Sequence, residues 1–308
     1  MHPYIIHNER LLAATKAHLP GVTWTTLHGR GVFTALAIYG ARPFMWPQHW
    51  ARLAAHADRL GIDRSGLDAE TVGASLRRLI EANAVEAGRA RVMLLSRAVG
   101  GVWKVKPASR EPATDLLMLT GDARPQPEGG LALTVSPFRT NTHSPLAGVK
   151  SINYLEHILS WEEARRRDFD EAVVLNERGE VVSTTTANLF WVKNGTLHTP
   201  ALSTGAIAGT TRARLISLAS ELSFPFVEGV YDLSDLGDAD EIFLSSSGLG
   251  VSLVTTFDFH RYTVPAGSVA LRLHEAFRQL TLSDGGGSSS DDESAEDEEE
   301  LEEASGDV

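Results

Sequence analysis

The 308-residue chain has no cysteine. That absence removes disulfides, thiolate nucleophiles and cysteine-ligated zinc together. Lysine is nearly as scarce: Lys16, Lys104, Lys106, Lys150 and Lys193 are the only five among 28 basic residues. No apolar run approaches the roughly 20 residues of a spanning helix. The N-terminal stretch MHPYIIHNERLLAATK also lacks the basic and apolar regions of a signal peptide. The expectation is a soluble, cytoplasmic protein that does not engage a membrane. A basic stripe is missing too. Of the 40 acids, 12 fall in residues 284–308, leaving 28 acids against 28 bases in the body. A neutral body excludes nucleic acid as the expected partner, because phosphate neutralisation dominates such binding.

What is present is an ordinary globular composition, 43% hydrophobic and 22% charged. It offers enough apolar material for one large or two medium domains. The tail, DGGGSSSDDESAEDEEELEEASGDV, has almost nothing to bury and reads as a disordered acidic appendage. Upstream, strand and helix signals alternate. Strand patterning covers 31–39, 90–96, 115–120, 131–138, 171–175, 188–192, 241–245 and 251–256. Helical spacing covers 49–60, 67–87, 154–168, 210–222 and 268–280, and Thr210 or Thr211 is expected to cap the fourth of these. Asn194-Gly195 reads as a hairpin turn, although Asn194-Gly195-Thr196 also matches a glycosylation sequon. The Pro/Gly-rich run 121–130 is the natural linker. The predicted organisation is an α/β (α+β) chain with an N-terminal domain 1–122, a linker 123–130, a C-terminal domain 131–283 and a tail 284–308.

Lys150 has distinctive surroundings, Ala147-Gly-Val-Lys150-Ser-Ile-Asn-Tyr154, a loop of small residues entering a helix. Enclosure there would lower its pKa and free the amine as a nucleophile. Taken alone, the same lysine could equally be an ordinary surface cation. Gly205-Ala-Ile-Ala-Gly209-Thr210-Thr211-Arg212 places glycines and hydroxyls at a helix start, where the dipole favours an anion. Ser245-Ser246-Ser247-Gly248 follows a strand, and Arg52 lies on the first long helix with room for a bidentate contact. Each is bland in isolation. Walker and GxGxxG motifs, metal-ligand histidine spacing and a G-x-S-x-G elbow are all missing, so no metal is assigned.

In order, these pieces resemble one family. Gly31-Val-Phe-Thr34, His49-Trp-Ala-Arg52-Leu53, Ser96-Arg97, Lys150-Ser-Ile-Asn153-Tyr154-Leu155, Ala187-Asn188-Leu-Phe190-Trp191, Thr199-Pro-Ala-Leu202, Gly209-Thr-Thr-Arg212 and Glu241-Ile-Phe-Leu-Ser look like the blocks of fold-type IV pyridoxal-phosphate enzymes. Aminodeoxychorismate lyase, D-amino-acid aminotransferases and branched-chain aminotransferases belong to that group. The resemblance implies a two-domain chain, with a small N-terminal α/β domain and a larger barrel-like C-terminal one, in a homodimer. It implies pyridoxal 5'-phosphate between the domains, joined to Lys150 as a Schiff base. Arg52, Thr210, Thr211 and Ser247 would hold its phosphate, and Tyr154 its phenolic oxygen. Arg97 would grip a substrate carboxylate.

One departure matters. Where the family usually carries a glutamate facing the pyridine nitrogen, five residues before Asn188, this chain has Ser183. A serine can hydrogen-bond that nitrogen but brings no charge to keep it protonated. Elimination tolerates a weaker electron sink than transamination does. The Lys-x-x-Asn-Tyr-Leu-Glu spacing also looks like that of the lyase branch, and the resemblance thus implies a lyase that acts on 4-amino-4-deoxychorismate. An aminotransferase for D-amino or branched-chain acids is the alternative, and a non-catalytic cofactor-binding protein is the second. Glu180, three residues before Ser183, is expected to point elsewhere unless the strand carries a bulge.

Overall fold

The structure is a computed structural model that describes residues 1–99, 113–125 and 129–286. Lys104, Lys106 and the tail beyond 286 lie outside the described residues, as does the reading of that tail as disordered.

In the N-terminal half, β1 (Tyr4–His7) and β2 (Arg10–Ala13) form a hairpin, followed by α1 (Trp24–His28), β3 (Gly31–Tyr39) and β4 (Arg42–Pro43). Two longer helices come next, α2 (Trp46–Arg59) and α3 (Ala69–Ala82), then β5 (Gly88–Ser96) and β6 (Thr114–Asp122). The strands form one antiparallel sheet in the order β2-β1-β6-β5-β3-β4. The apolar stripe of α2 (Trp46, Trp50, Leu53, Ala57) and that of α3 (Val72, Leu76, Leu79, Ile80) share one core with Val32, Leu36, Val92 and Leu94 of the sheet. The three- and four-residue spacing of those side chains is what makes each segment a helix on a sheet. Asp68 starts α3 by accepting the Thr71 N–H at 2.8 Å.

The C-terminal half contains β7 (Leu131–Thr140), α4 (Leu155–Arg166), β8 (Glu171–Asn176), β9 (Val181–Thr184), β10 (Asn188–Lys193) and β11 (Thr196–Pro200). It continues through α5 (Thr210–Glu221), β12 (Phe226–Gly229), α6 (Leu233–Gly237), β13 (Glu241–Ser246), β14 (Gly250–Phe257), β15 (His260–Arg261) and α7 (Val269–Gly286). The nine-stranded sheet runs β12-β11-β10-β13-β14-β7-β8-β9, with β15 on β14. Two parallel pairs, β7 with β8 and β11 with β12, are bridged by α4 and α5, the crossover that parallel strands require.

This sheet curls. Leu133, Val173, Val181, Leu189, Leu244 and Val254, from six different strands, line one shared core, so the faces bend round it like part of a barrel. The alternate residues Phe190, Val192 and Phe243 point the other way and meet Leu215, Leu218, Leu273 and Phe277 of α5 and α7. Both faces of β10 and β13 are therefore covered, which is why LFWV and IFL read as continuous apolar runs. Phe190 and Phe243 stack with centroids 5.1 Å apart. Ala37 and Phe44 of the N-terminal half join this second core, so apolar packing ties the two halves together.

The long strands and helices fall where the periodicity predicts them, β3 residue for residue. Several short strands escaped it. The β1–β2 turn uses Asn8 and Glu9 at φ 48° and 66°, and Glu is an unexpected residue at such a position. Asn194 and Gly195, at φ 48° and 74°, form the expected two-residue hairpin between β10 and β11. The last helix runs to Gly286, three residues into the segment predicted as tail.

Candidate active site

Between the two sheets lies a cavity of about 300 Å³. Its walls come from β3, α2, β5, the Lys150 loop, the 183–188 turn, the start of α5 and the 245–248 turn.

Lys150 is placed there by its backbone. Its carbonyl accepts the Phe33 N–H at 3.0 Å, its own N–H donates to His56 Nδ1 at 3.1 Å, and the Ile152 N–H reaches the Gly31 carbonyl at 3.0 Å. The lysine segment, which belongs to the C-terminal half, thus adds a short rung to the N-terminal sheet. Asn153 Nδ2 donates to the Gly29 carbonyl at 2.8 Å, and a Cβ on Gly29 would fall 2.1 Å from Asn153 Oδ1. Only glycine fits that approach, and its φ of +66° suits glycine as well.

The Lys150 amine has no salt bridge or hydrogen bond among the described residues. Its Nζ lies 4.7 Å from the Phe33 ring centre and 4.9 Å from that of Tyr154. Burial, with the positive charges of Arg52 and Arg91 nearby, pulls its pKa down to about 7. This yields a testable pH dependence. A lowered pKa favours the neutral amine, the form that attacks a carbonyl, at physiological pH. The fraction of reactive amine should rise ~10-fold from pH 6 to pH 8 and then level off. An ordinary lysine would rise ~100-fold over that interval and keep climbing. The rate at which the apoprotein captures pyridoxal 5'-phosphate, measured by absorbance across that range, checks it. His56 and His157, both held near 4 chiefly by burial, do not titrate in the same window.

The anion-binding candidates converge on one end of the cavity. Arg52 donates from Nη2 to Thr34 Oγ1 at 2.9 Å and from Nη1 to the Ala208 carbonyl at 3.2 Å, while its Nε–H is buried without a partner. Its pKa falls to about 10, mainly through burial, yet it stays charged at neutral pH. Thr210, Thr211 and Ser247 line the same end. Neither threonine caps α5, contrary to the sequence expectation. Gly209 holds the cap position with no side-chain bond, and the Thr210 hydroxyl instead lies 3.2 Å from Ser247 Oγ. That leaves the helix-start amides for a ligand. A Cβ on Gly209 would come 2.0 Å from Asn188 Oδ1, so Gly209→Ala should loosen this end. The expected cost is ~1–3 kcal/mol of stability and weaker anion binding, read by thermal unfolding with and without inorganic phosphate.

Tyr154 lines the opposite side, its hydroxyl 3.4 Å from the Thr185 carbonyl and its pKa raised to about 12, chiefly by burial. Ser183 also faces the cavity, and its hydroxyl donates to the Thr184 carbonyl at 2.9 Å. The strand does carry a bulge: Val174 pairs with Ser183 and Leu175 with Val181, which leaves Val182 unmatched. Even so, Glu180 stays outside, bonded to Arg178 at 2.6 Å and Asn176 at 2.6 Å. Among the described residues, no aspartate or glutamate lines the cavity.

Arg97 is not brought in. Its guanidinium sits 3.5 Å from Asp115, just beyond β5 on the face that alternation shares with Arg89 and Arg91, and it is not among the residues that line the cavity. The arginines that do line the cavity beside Arg52 are Arg89, Arg91 and Arg124. Arg91 covers the Phe33 ring at 3.8 Å, and its Nε–H is buried without a partner. Sequence reasoning missed Arg89 and Arg91, although both occupy one face of β5 by simple alternation, a signal hidden inside an otherwise apolar strand. Glu171 was also missed. Fully buried behind the cavity wall, it accepts from the Thr185 and Thr186 hydroxyls, and burial raises its pKa.

The amino-transferase class IV family model matches residues 31–257. A putative branched-chain-amino-acid aminotransferase of Methanocaldococcus jannaschii is 30% identical over 257 residues, covering 82% of this chain and 88% of that one. An aminodeoxychorismate lyase of Bacillus subtilis is 27% identical over 275 residues, covering 88% and 92%. The crystal structure of a branched-chain aminotransferase from Thermoproteus uzoniensis shares the fold, with a TM-score of 0.83 at 24% identity over 92% of this chain and 95% of that one.

The residues present fit pyridoxal phosphate. A partnerless amine can hold its aldehyde carbon. The orphaned Arg52 Nε–H, the hydroxyls of Thr210, Thr211 and Ser247, and the α5 amides can hold its phosphate. With the family model matched over most of its length and a 30% identical relative covering 82% of it, the chain belongs to the class IV aminotransferase family and is a pyridoxal-phosphate-dependent enzyme.

Proposed function

We propose that this enzyme is a lyase that converts 4-amino-4-deoxychorismate to 4-aminobenzoate and pyruvate. The observation that carries this reading is the charge of its cavity. With Arg52 given to the phosphate, Arg89, Arg91 and Arg124 remain; Glu171, buried behind the wall, interacts with Arg124, and among the described residues no carboxylate lines the cavity beside Arg89 and Arg91. A substrate with two carboxylates, one on the ring and one on the enolpyruvyl arm, matches that surplus by bidentate pairing.

When bound, the cofactor supplies an electron sink for the carbon that carries the substrate amine. The chain's own residues do the rest. The Lys150 amine, neutral near pH 7, takes the proton from that carbon. The bond from the adjacent ring carbon to the enolpyruvyl oxygen then breaks, the departing enolpyruvate takes up the proton held by Lys150 and becomes pyruvate, and the ring becomes aromatic. Phe33 and Tyr154 cover the lysine and keep water from it. Ser183 offers a hydrogen bond and no charge, which elimination tolerates because its leaving group departs early.

The alternative, an aminotransferase for D-amino or branched-chain acids, is supported by a 27% identical relative named as a D-alanine aminotransferase and by the 30% identical one named as a putative branched-chain aminotransferase. A branched-chain side chain would nevertheless set apolar surface against arginines. The second alternative, a non-catalytic binder, fits poorly with an amine tuned to about 7. Incubation with 4-amino-4-deoxychorismate should yield equal pyruvate and 4-aminobenzoate. Keto-acid exchange from D-alanine or a branched-chain acid with 2-oxoglutarate, without pyruvate from the chorismate derivative, would reverse the assignment.

We also infer a homodimer. Leu155, Ile158, Leu159 and Trp161 are 63, 45, 43 and 37% exposed along α4, a concentration of apolar surface typical of interfaces. Sedimentation at twice the 33.3 kDa chain mass is expected, and a monomer at micromolar concentration contradicts it.

A further inference from the structure

His49 is almost wholly buried, 1% exposed, and sits where the two halves of the chain meet behind the anion end of the cavity. Its Nδ1 lies 2.8 Å from Thr34 Oγ1. Its Nε2 lies 3.1 Å from Thr210 Oγ1 and 3.2 Å from Ser247 Oγ. The position of the ring proton follows from its neighbours. Arg52, which can only donate, already gives a hydrogen bond to Thr34 Oγ1. Thr34 is fully buried, and His49 Nδ1 is the acceptor within reach of its own hydroxyl proton among the described residues. A proton on Nδ1 would point at that hydroxyl and leave the hydroxyl's hydrogen buried without a partner. Nδ1 is therefore the acceptor, and the ring hydrogen resides on Nε2. Burial, with the charges of Arg52 and Lys150 nearby, keeps the ring from taking a second proton.

We propose that His49 is a positioning residue for the cofactor's phosphate: its Nε2–H donates to the Thr210 and Ser247 hydroxyl oxygens and turns their protons towards the cavity. With the ring hydrogen on Nε2, neither hydroxyl can donate to the histidine. The Thr210–Ser247 contact, at 3.2 Å, uses at most one of their two protons. At least one hydroxyl hydrogen is thus always presented to an anion. The opposite tautomer would let the ring and that contact consume both. The relay from Arg52 through Thr34 and His49 to Thr210 and Ser247 links the arginine of α2 to the hydroxyls of the other half, so both parts of the cradle are set by one buried chain.

The test compares pyridoxal 5'-phosphate with pyridoxal, which offers the same aldehyde but no phosphate. Dissociation constants are read by absorbance and fluorescence for wild type, His49→Leu and His49→Gln. Gln can place an amide N–H near the Nε2 position, whereas Leu removes the donor. We expect His49→Leu to weaken pyridoxal 5'-phosphate by ~10–100-fold, the range for a hydrogen bond that serves a charged group, with pyridoxal binding unchanged. His49→Gln should stay within about threefold of wild type, given its retained donor. Equal weakening of both compounds, or no weakening of the phosphorylated one, overturns the proposal. Should the leucine variant not fold, the glutamine variant decides alone, and a ~10-fold or greater phosphate-specific loss in that folded protein is contrary to it. Failure of the wild type to bind pyridoxal 5'-phosphate would instead overturn the cofactor assignment on which this rests.

Discussion

Lys150→Ala should lower turnover by at least ~10⁴-fold, because one amine both anchors the cofactor and moves the substrate proton. Losses from a dual-role residue of this kind are not additive with those of its neighbours. The fold should survive. The anchoring contacts at this position are backbone ones, the Phe33 and Ile152 rungs and the Lys150 N–H to His56, and alanine keeps all of them. The buried amine has no hydrogen-bond partner to lose, and the void left by truncation offsets the relief of its desolvation, so thermal stability of the apoprotein should stay within ~1–2 kcal/mol of wild type. Turnover with the natural substrate and thermal unfolding of the apoprotein read the two effects separately. An alanine variant within about tenfold of wild-type turnover would remove Lys150 from the chemistry.

The second large effect concerns the arginine wall. Arg91→Leu should raise KM for a dicarboxylate substrate by ~10²-fold, the scale of a charge-assisted bidentate contact, with a smaller change in kcat. The buried, partnerless Arg91 Nε–H is the reason to choose this residue over Arg89, which is exposed. The same substitution removes a cation from the neighbourhood of Lys150 and should move its amine pKa upward. The expected signature is therefore double: poorer dicarboxylate binding, and an acid limb of the rate profile shifted to higher pH. Steady-state kinetics with a dicarboxylate and a monocarboxylate amine separate specificity from a general loss. If both substrates suffer alike, Arg91 supports the wall and does not read the substrate.

How much of this was legible in the sequence differs by residue. Lys150 and Arg52 stood out through their surrounding blocks. β10 and β13 announced themselves as apolar runs because each packs on two cores, and β3 because one face joins the N-terminal core while the other lines the cavity with Phe33 and Ala35. Ser183 was located by counting back from Asn188, but its consequence needed three dimensions. Only the structure shows that the bulge at Val182 does not swing Glu180 inward. The resemblance implied a carboxylate grip at Arg97, whereas the structure sets that guanidinium beside Asp115 and lines the cavity with Arg91, six residues earlier. Strand alternation gives the facing of Arg89 and Arg91 only once the sheet's buried side is known. His49 was quoted in a motif without a role, because tautomer and partners are set by Thr34, Thr210 and Ser247, far apart in sequence. Propensity, which considers one helix alone, makes Thr210 or Thr211 the cap, whereas here His49 and Ser247 engage the Thr210 hydroxyl.

Borohydride treatment of the purified holoenzyme, followed by peptide mapping, tests the central assignment most directly. The account expects loss of the visible absorbance band and a stable pyridoxyl mass on Lys150 alone. A label on Lys16 or Lys193, or a protein that gains no absorbance when pyridoxal 5'-phosphate is added, would contradict it.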